Sequence, residues 1–195
     1  MKSKEISNVI IVHGSNACEK EKLSKGFPTQ DKRNWLPWIK EKLEEKGIEC
    51  KNPLMPNNDK PKYEEWKQEV ENIKVDKNSV LIGHSAGGAF LVRWLGDTKK
   101  KIKKLILVAP AKIAHEESDY IKDFYSFYID QDIKERVNEI VIIKSNDDHN
   151  YILKSSKIYE KALGGKVIEL KRKGHFTETS MGTKEFPELL EEILY

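Results

Sequence analysis

Six short apolar runs, each followed by a helical stretch, constrain this 195-residue chain more than any other feature. Strand-like runs occupy residues 8–12, 49–53, 79–83, 105–109, 139–144 and 166–170. Helical patterns mark residues 34–46, 63–73, 85–96, 131–137, 151–163 and 183–194. Several strands are continuous rather than alternating, such as Val9-Ile10-Ile11-Val12 and Ile140-Val141-Ile142-Ile143. Unbroken apolarity suits a strand covered by helices on both sheet faces. The alternation predicts a three-layer α/β fold, with a doubly wound, mostly parallel sheet of about six strands and right-handed crossovers. The length predicts one domain over residues 1–195. In such sheets ligands bind beyond the carboxyl ends of the strands, so the chemistry is sought there.

Composition narrows the partners. Hydrophobic residues make up 38% and charged residues 34%, and the net charge is only +3. No apolar run approaches membrane-spanning length, so no membrane partner is expected. The start, Met1-Lys2-Ser3-Lys4-Glu5, carries no apolar signal region, which predicts a cytoplasmic protein. Cys18 and Cys50 are too few for a disulfide framework and read as free thiols. The basic run Lys99-Lys100-Lys101-Ile102-Lys103-Lys104 reads as a solvated connection, because no aromatic or Arg-rich sequence accompanies it. No nucleic-acid partner is expected.

Between the third strand and its helix stands Gly83-His84-Ser85-Ala86-Gly87. A serine on a tight strand-to-helix turn is a nucleophile elbow, which lifts Oγ above the sheet edge. Glycine is needed where the two backbones crowd together. The serine itself requires a strained conformation of the kind found at working sites.

A serine nucleophile needs a base, and the base a carboxylate that fixes its tautomer. The chain order expected in this architecture is Ser, acid, His. Asp147 and Asp148 follow the fifth strand and His175 follows the sixth, so both leave the same sheet edge as Ser85. His175 is the expected base, and the residues alone leave the acid open between Asp147 and Asp148. His84 is expected to point away on the elbow, His13 to lead into the first loop, and His115 to lie in a loop covering the site. An oxyanion hole needs two backbone N–H groups. Ala86 is expected to supply one, and Ser15 or Asn16, in the loop after the first strand, the other. No H-x-x-x-H pattern exists, so neither a metal nor another cofactor is expected.

Two long segments leave strand ends. Residues 14–33 are polar, and residues 112–130 carry Tyr120, Phe124, Tyr125, Phe127 and Tyr128. The aromatic cluster forms either a substrate pocket or a short helix with its rings in the core.

The chain resembles the small α/β-hydrolases of the retinoblastoma-binding-protein and YdeN-like serine hydrolase group. The resemblance rests on Val9-Ile10-Ile11-Val12-His13-Gly14, Trp35-Leu36-Pro37-Trp38, Pro53-Leu54-Met55-Pro56, the elbow, Leu107-Val108-Ala109-Pro110, Ser145-Asn146-Asp147-Asp148 and Gly174-His175-Phe176. It implies a compact core without a large cap domain. It also implies a Ser85–Asp148–His175 triad, favouring Asp148 over Asp147. The expected activity is cleavage of a small ester, thioester or amide through an acyl-enzyme, with a small-molecule acyl substrate. The alternative is a catalytically weak protein on the same scaffold that binds a protein partner, of which the sequence gives no sign.

Overall fold

The computed structural model describes residues 6–114 and 119–195. The readings of the N-terminal five residues and of His115 lie outside these. Strands β1 (Val9–Val12), β2 (Cys50–Lys51), β3 (Val80–His84), β4 (Ile102–Val108), β5 (Val137–Ser145) and β6 (Lys166–Leu170) form one open sheet. Their order is β2-β1-β3-β4-β5-β6, and every neighbouring pair is parallel. The chain steps outward from β1 to β2, then returns to the other side of β1 to lay down β3. The crevice between β1 and β3 is therefore the point where winding reverses, which is where such sheets bind ligands. Val12 pairs with Gly83 in register, so the segments after β1 and β3 leave the sheet side by side.

The helices are α1 (Glu19–Ser24), α2 (Leu36–Glu44), α3 (Tyr63–Glu71), α4 (Ala86–Thr98), α5 (Asp119–Tyr125), α6 (Ile133–Arg136), α7 (Asn150–Leu163), α8 (Glu178–Met181) and α9 (Pro187–Leu194). Helix α4 is buried without a break from Ala86 to Val92, which its nearly all-round apolar sequence requires. It packs onto the sheet closely enough to exclude side chains at two glycines. A Cβ on Gly83 would stand 2.6 Å from Gly88 Cα, and one on Gly87 would run into the Val12 carbonyl.

Four expectations change. The polar segment 14–33 contains α1 and a 3-10 turn at Gln30–Lys32. No apolar stripe announces it, because polar bonds hold it: the buried Glu19 Oε2 accepts from Asn16 Nδ2 at 2.9 Å and from Arg33 Nη1 at 2.7 Å. The basic run is not wholly a connection, since β4 begins at Ile102 and Lys104 is 2% exposed. Lys104 Nζ donates to the Glu192 carbonyl at 2.6 Å and pairs with Glu139 at 3.0 Å. The helix expected over 131–137 shrinks to α6, because Val137 already belongs to β5. Finally, the aromatic segment divides between its two readings: Tyr128 is exposed and, with Tyr125 and Phe127, lines a pocket, whereas other rings enter the core. Helix α5 buries Phe124 and Tyr125, the Phe124 ring lying 5.1 Å from that of Trp66.

Candidate active site

Ser85 sits between β3 and α4 with φ 53° and ψ −116°, a conformation costly for a residue with a Cβ. Neighbouring backbone holds it there. Its N–H donates to the Val108 carbonyl, and its carbonyl accepts from the N–H groups of Gly88 and Ala111, each at 3.0 Å.

His175 arrives from the far side of the sheet, on the segment after β6. Its Nε2 lies 3.0 Å from Ser85 Oγ, and its Nδ1 lies 3.0 and 3.1 Å from the two Asp148 oxygens. A carboxylate only accepts, so Nδ1 carries the proton and Nε2 is free to accept from the hydroxyl. The Asp148 side chain is fully buried, and its Oδ1 also accepts from the His149 N–H at 2.7 Å. Behind His175, the buried Phe176 stacks on Phe186 at 5.3 Å.

The two adjacent aspartates have separate surroundings. Asp147 does not reach the imidazole. Its Oδ1 accepts from Ser145 Oγ at 2.5 Å and from the Gly174 N–H at 2.9 Å, which hold its carboxyl below the usual range. Ser145 Oγ in turn accepts from the Lys173 N–H at 2.9 Å. The end of β5 thus grips the two residues that precede His175. The residues alone left the acid open between Asp147 and Asp148 and gave Ser145 no role; a hydroxyl at a strand end beside the acid was the available signal.

His84 departs from expectation. Instead of pointing away, its ring centroid lies 5.1 Å from that of His175, and its Nε2 donates to the His175 carbonyl at 2.9 Å. Its Nδ1 is buried without a partner among the described residues. Burial, with the neighbouring His175, pushes its pKa down to about 3, so the ring is neutral. His13 is also buried and neutral: Nδ1 donates to the Gly14 carbonyl at 2.8 Å while Nε2 accepts from the Met55 N–H at 2.9 Å. Desolvation lowers its pKa too. His149 stacks on Tyr151, 6.0 Å from the His175 ring.

Of the two first-loop oxyanion candidates, Asn16 is otherwise engaged, because its N–H donates to the Asn58 carbonyl at 3.0 Å. This corrects the expectation for that residue. The N–H groups of Ser15 and Ala86 have no acceptor among the described residues, and Ala86 opens α4, where first-turn N–H groups lack intrahelical partners. Gly14 brings its strand close, since a Cβ there would lie 3.0 Å from Ser85 Cβ.

Ser85, His175 and His84 open into a pocket of about 290 Å³ shared with the loop after β1 and the start of α8. A larger concavity, about 450 Å³ and lined by Asn8, Lys40 and Asn72, holds none of these groups. Among the described residues no cluster of three or more His, Cys, Asp or Glu could hold a metal ion. No helix there is long and apolar enough to cross a membrane, and both cysteines are unpaired.

An open parallel sheet with a serine at a strained strand-to-helix turn, hydrogen-bonded to a histidine from a later strand end, defines the α/β-hydrolase class. The serine hydrolase family model matches residues 23–193, and the chain belongs to that family. It is similar to YdeN of Bacillus subtilis (strain 168), at 25% identity over 158 residues, covering 78% of this chain and 83% of that protein. The crystal structure of the ydeN gene product from B. subtilis superposes with a TM-score of 0.82 at 22% identity, covering 96% of each chain. Est1E from Butyrivibrio proteoclasticus has the same fold, with a TM-score of 0.64 at 15% identity over 100% of this chain and 91% of its own.

Proposed function

We propose that this hydrolase cleaves a small ester, thioester or amide through an acyl-enzyme on Ser85. His175 Nε2 takes the Ser85 proton as Oγ attacks the carbonyl, then delivers it to the leaving group. Asp148 holds the imidazolium that forms between these steps. The N–H groups of Ala86 and Ser15 receive the developing oxyanion. Water, activated by the same imidazole, then attacks the acyl-enzyme, releases the acid and restores the serine.

The observation that carries this reading is the unbroken relay, with one imidazole 3.0 Å from both the hydroxyl and the nearer carboxylate oxygen. A partner-binding protein without catalysis has no need of such a relay. The test is labelling by a serine-directed fluorophosphonate, with turnover of short p-nitrophenyl esters measured alongside. Both should be present in the native chain and absent in Ser85→Ala. Turnover retained by Ser85→Ala would overturn the mechanism.

A further inference from the structure

The pocket beside Ser85 is lined by polar residues and glycine, with no apolar side chain in its wall among the described residues. Pockets for alkyl chains are lined predominantly by hydrophobic side chains, so this one is built for something else. Its hydrogen-bonding character is one-sided. Gln30 Oε1 already accepts from Arg33 Nη1 at 3.1 Å, and Asn34 Oδ1 from the Glu178 N–H at 3.0 Å. Those partners fix which end of each amide is oxygen, leaving both NH₂ groups without an acceptor among the described residues.

The charges point the same way. Among the described residues, the charged side chains in the wall are Lys22 and Arg33, and no carboxylate lines it. Arg33 is compensated by Glu19 at 2.7 Å, although its Nε and Nη2 find no acceptor among the described residues. Lys22 is not compensated. Its helix neighbours Lys20 and Lys25 pair with Asp59 at 3.1 Å and Glu21 at 2.6 Å, whereas Lys22 has no ion-pair partner among the described residues. The cavity therefore offers donors and an unmatched positive charge beside the nucleophile.

We infer that the substrate carries an anionic group, in the simplest case a carboxylate, which Lys22 and the Gln30 and Asn34 amides receive. This rests on the hydrolase reading and names its substrate class. The cavity volume, at the low end of the range of about 300–1,000 Å³ for small-molecule sites, restricts that substrate to a compact one.

The test compares charged and neutral partners of matched shape. On the acyl side these are 4-nitrophenyl hydrogen adipate and its methyl ester, whose far carboxylate is too distant for easy attack on its own ester. On the leaving-group side they are 4-acetoxybenzoate and its methyl ester. One of the two pairs should favour the anion by about two- to fivefold in kcat/KM, the size of a partly exposed ion pair. Which pair does so tells which side of the scissile bond occupies the pocket. The preference should shrink as salt rises. It should fall to near unity in Lys22→Met and reverse in Lys22→Glu, while Lys20→Met keeps the native ratio. Equal rates within both pairs, or an unchanged preference in Lys22→Glu, would overturn the inference and leave the hydrolase reading intact. Hydrolysis that survives Ser85→Ala would instead overturn the hydrolase reading.

Discussion

Asp147 accepts a hydrogen bond from the backbone N–H of Gly174, the residue immediately before His175, at 2.9 Å. Asp148, one position along, meets the imidazole itself at 3.0 Å. Adjacent side chains of one loop therefore perform different tasks, one aiming the segment and the other the ring.

The two aspartates should separate kinetically. Asp148→Asn should lower kcat by about 10³- to 10⁴-fold, because an amide can hold the imidazole in the wrong tautomer and cannot stabilise imidazolium. Asp147→Asn keeps an acceptor oxygen and should stay within a few-fold of native. Asp147→Ala should lose about tenfold in kcat with little change in KM, as expected for loosened aim. Steady-state kinetics on one p-nitrophenyl ester decides this, and a larger loss in Asp147→Asn than in Asp148→Asn would reverse the assignment.

His84 predicts a sign for the pH dependence of stability. The folded chain holds this ring neutral down to about pH 3, while the unfolded chain binds its proton near 6.5. Between those values the unfolded state holds more protons, so stability is full above pH 6.5 and falls as the solution is acidified. His13, also lowered by burial, adds a dependence of the same sign. Urea midpoints at pH 7, 6 and 5 should therefore decline, with His84 contributing up to about 1 kcal/mol per pH unit. His84→Gln, which does not titrate, should decline less steeply.

His84→Phe should also slow turnover. It removes the donor to the His175 carbonyl, and a phenyl ring of similar breadth cannot replace it. A several-fold loss in kcat is expected, partly restored in His84→Gln, whose side-chain amide can donate. Equal rates for both variants would show that the contact does not aim the base.

Gly87→Ala tests the close approach of α4 to β1. The added methyl would meet the Val12 carbonyl, backbone that cannot swing aside. Overpacking of this kind costs about 1–3 kcal/mol, which for a chain of this size lowers Tm by roughly 2–4 °C per kcal/mol. Differential scanning calorimetry measures the shift.

The sheet could be read from the sequence because β1, β3, β4 and β5 each contain a continuous apolar run, and the α/β-hydrolase match agrees with that reading. Element type followed from periodicity where burial is apolar. It failed where polar contacts do the holding, as in α1, whose buried residue is Glu19 and whose stability depends on a distant arginine. The same limit applies in the candidate site. Ser85 and His175 are announced by their places at strand ends, and the resemblance favoured Asp148 over its neighbour. The orientation of His84 and the engagement of the Asn16 N–H depend on contacts with residues 91 and 42 positions away, which no local pattern encodes.

Ser85 and His175 are 90 positions apart, and the imidazole stands on the segment that follows β6, an edge strand of the sheet. Folds that depend on contacts so distant along a chain form slowly. Under the proposed mechanism, ester turnover would report completed assembly: during refolding it should appear no earlier than the slowest spectroscopic phase. A chain cut before β6 would lack the base even if β1 and β3 had already formed the elbow.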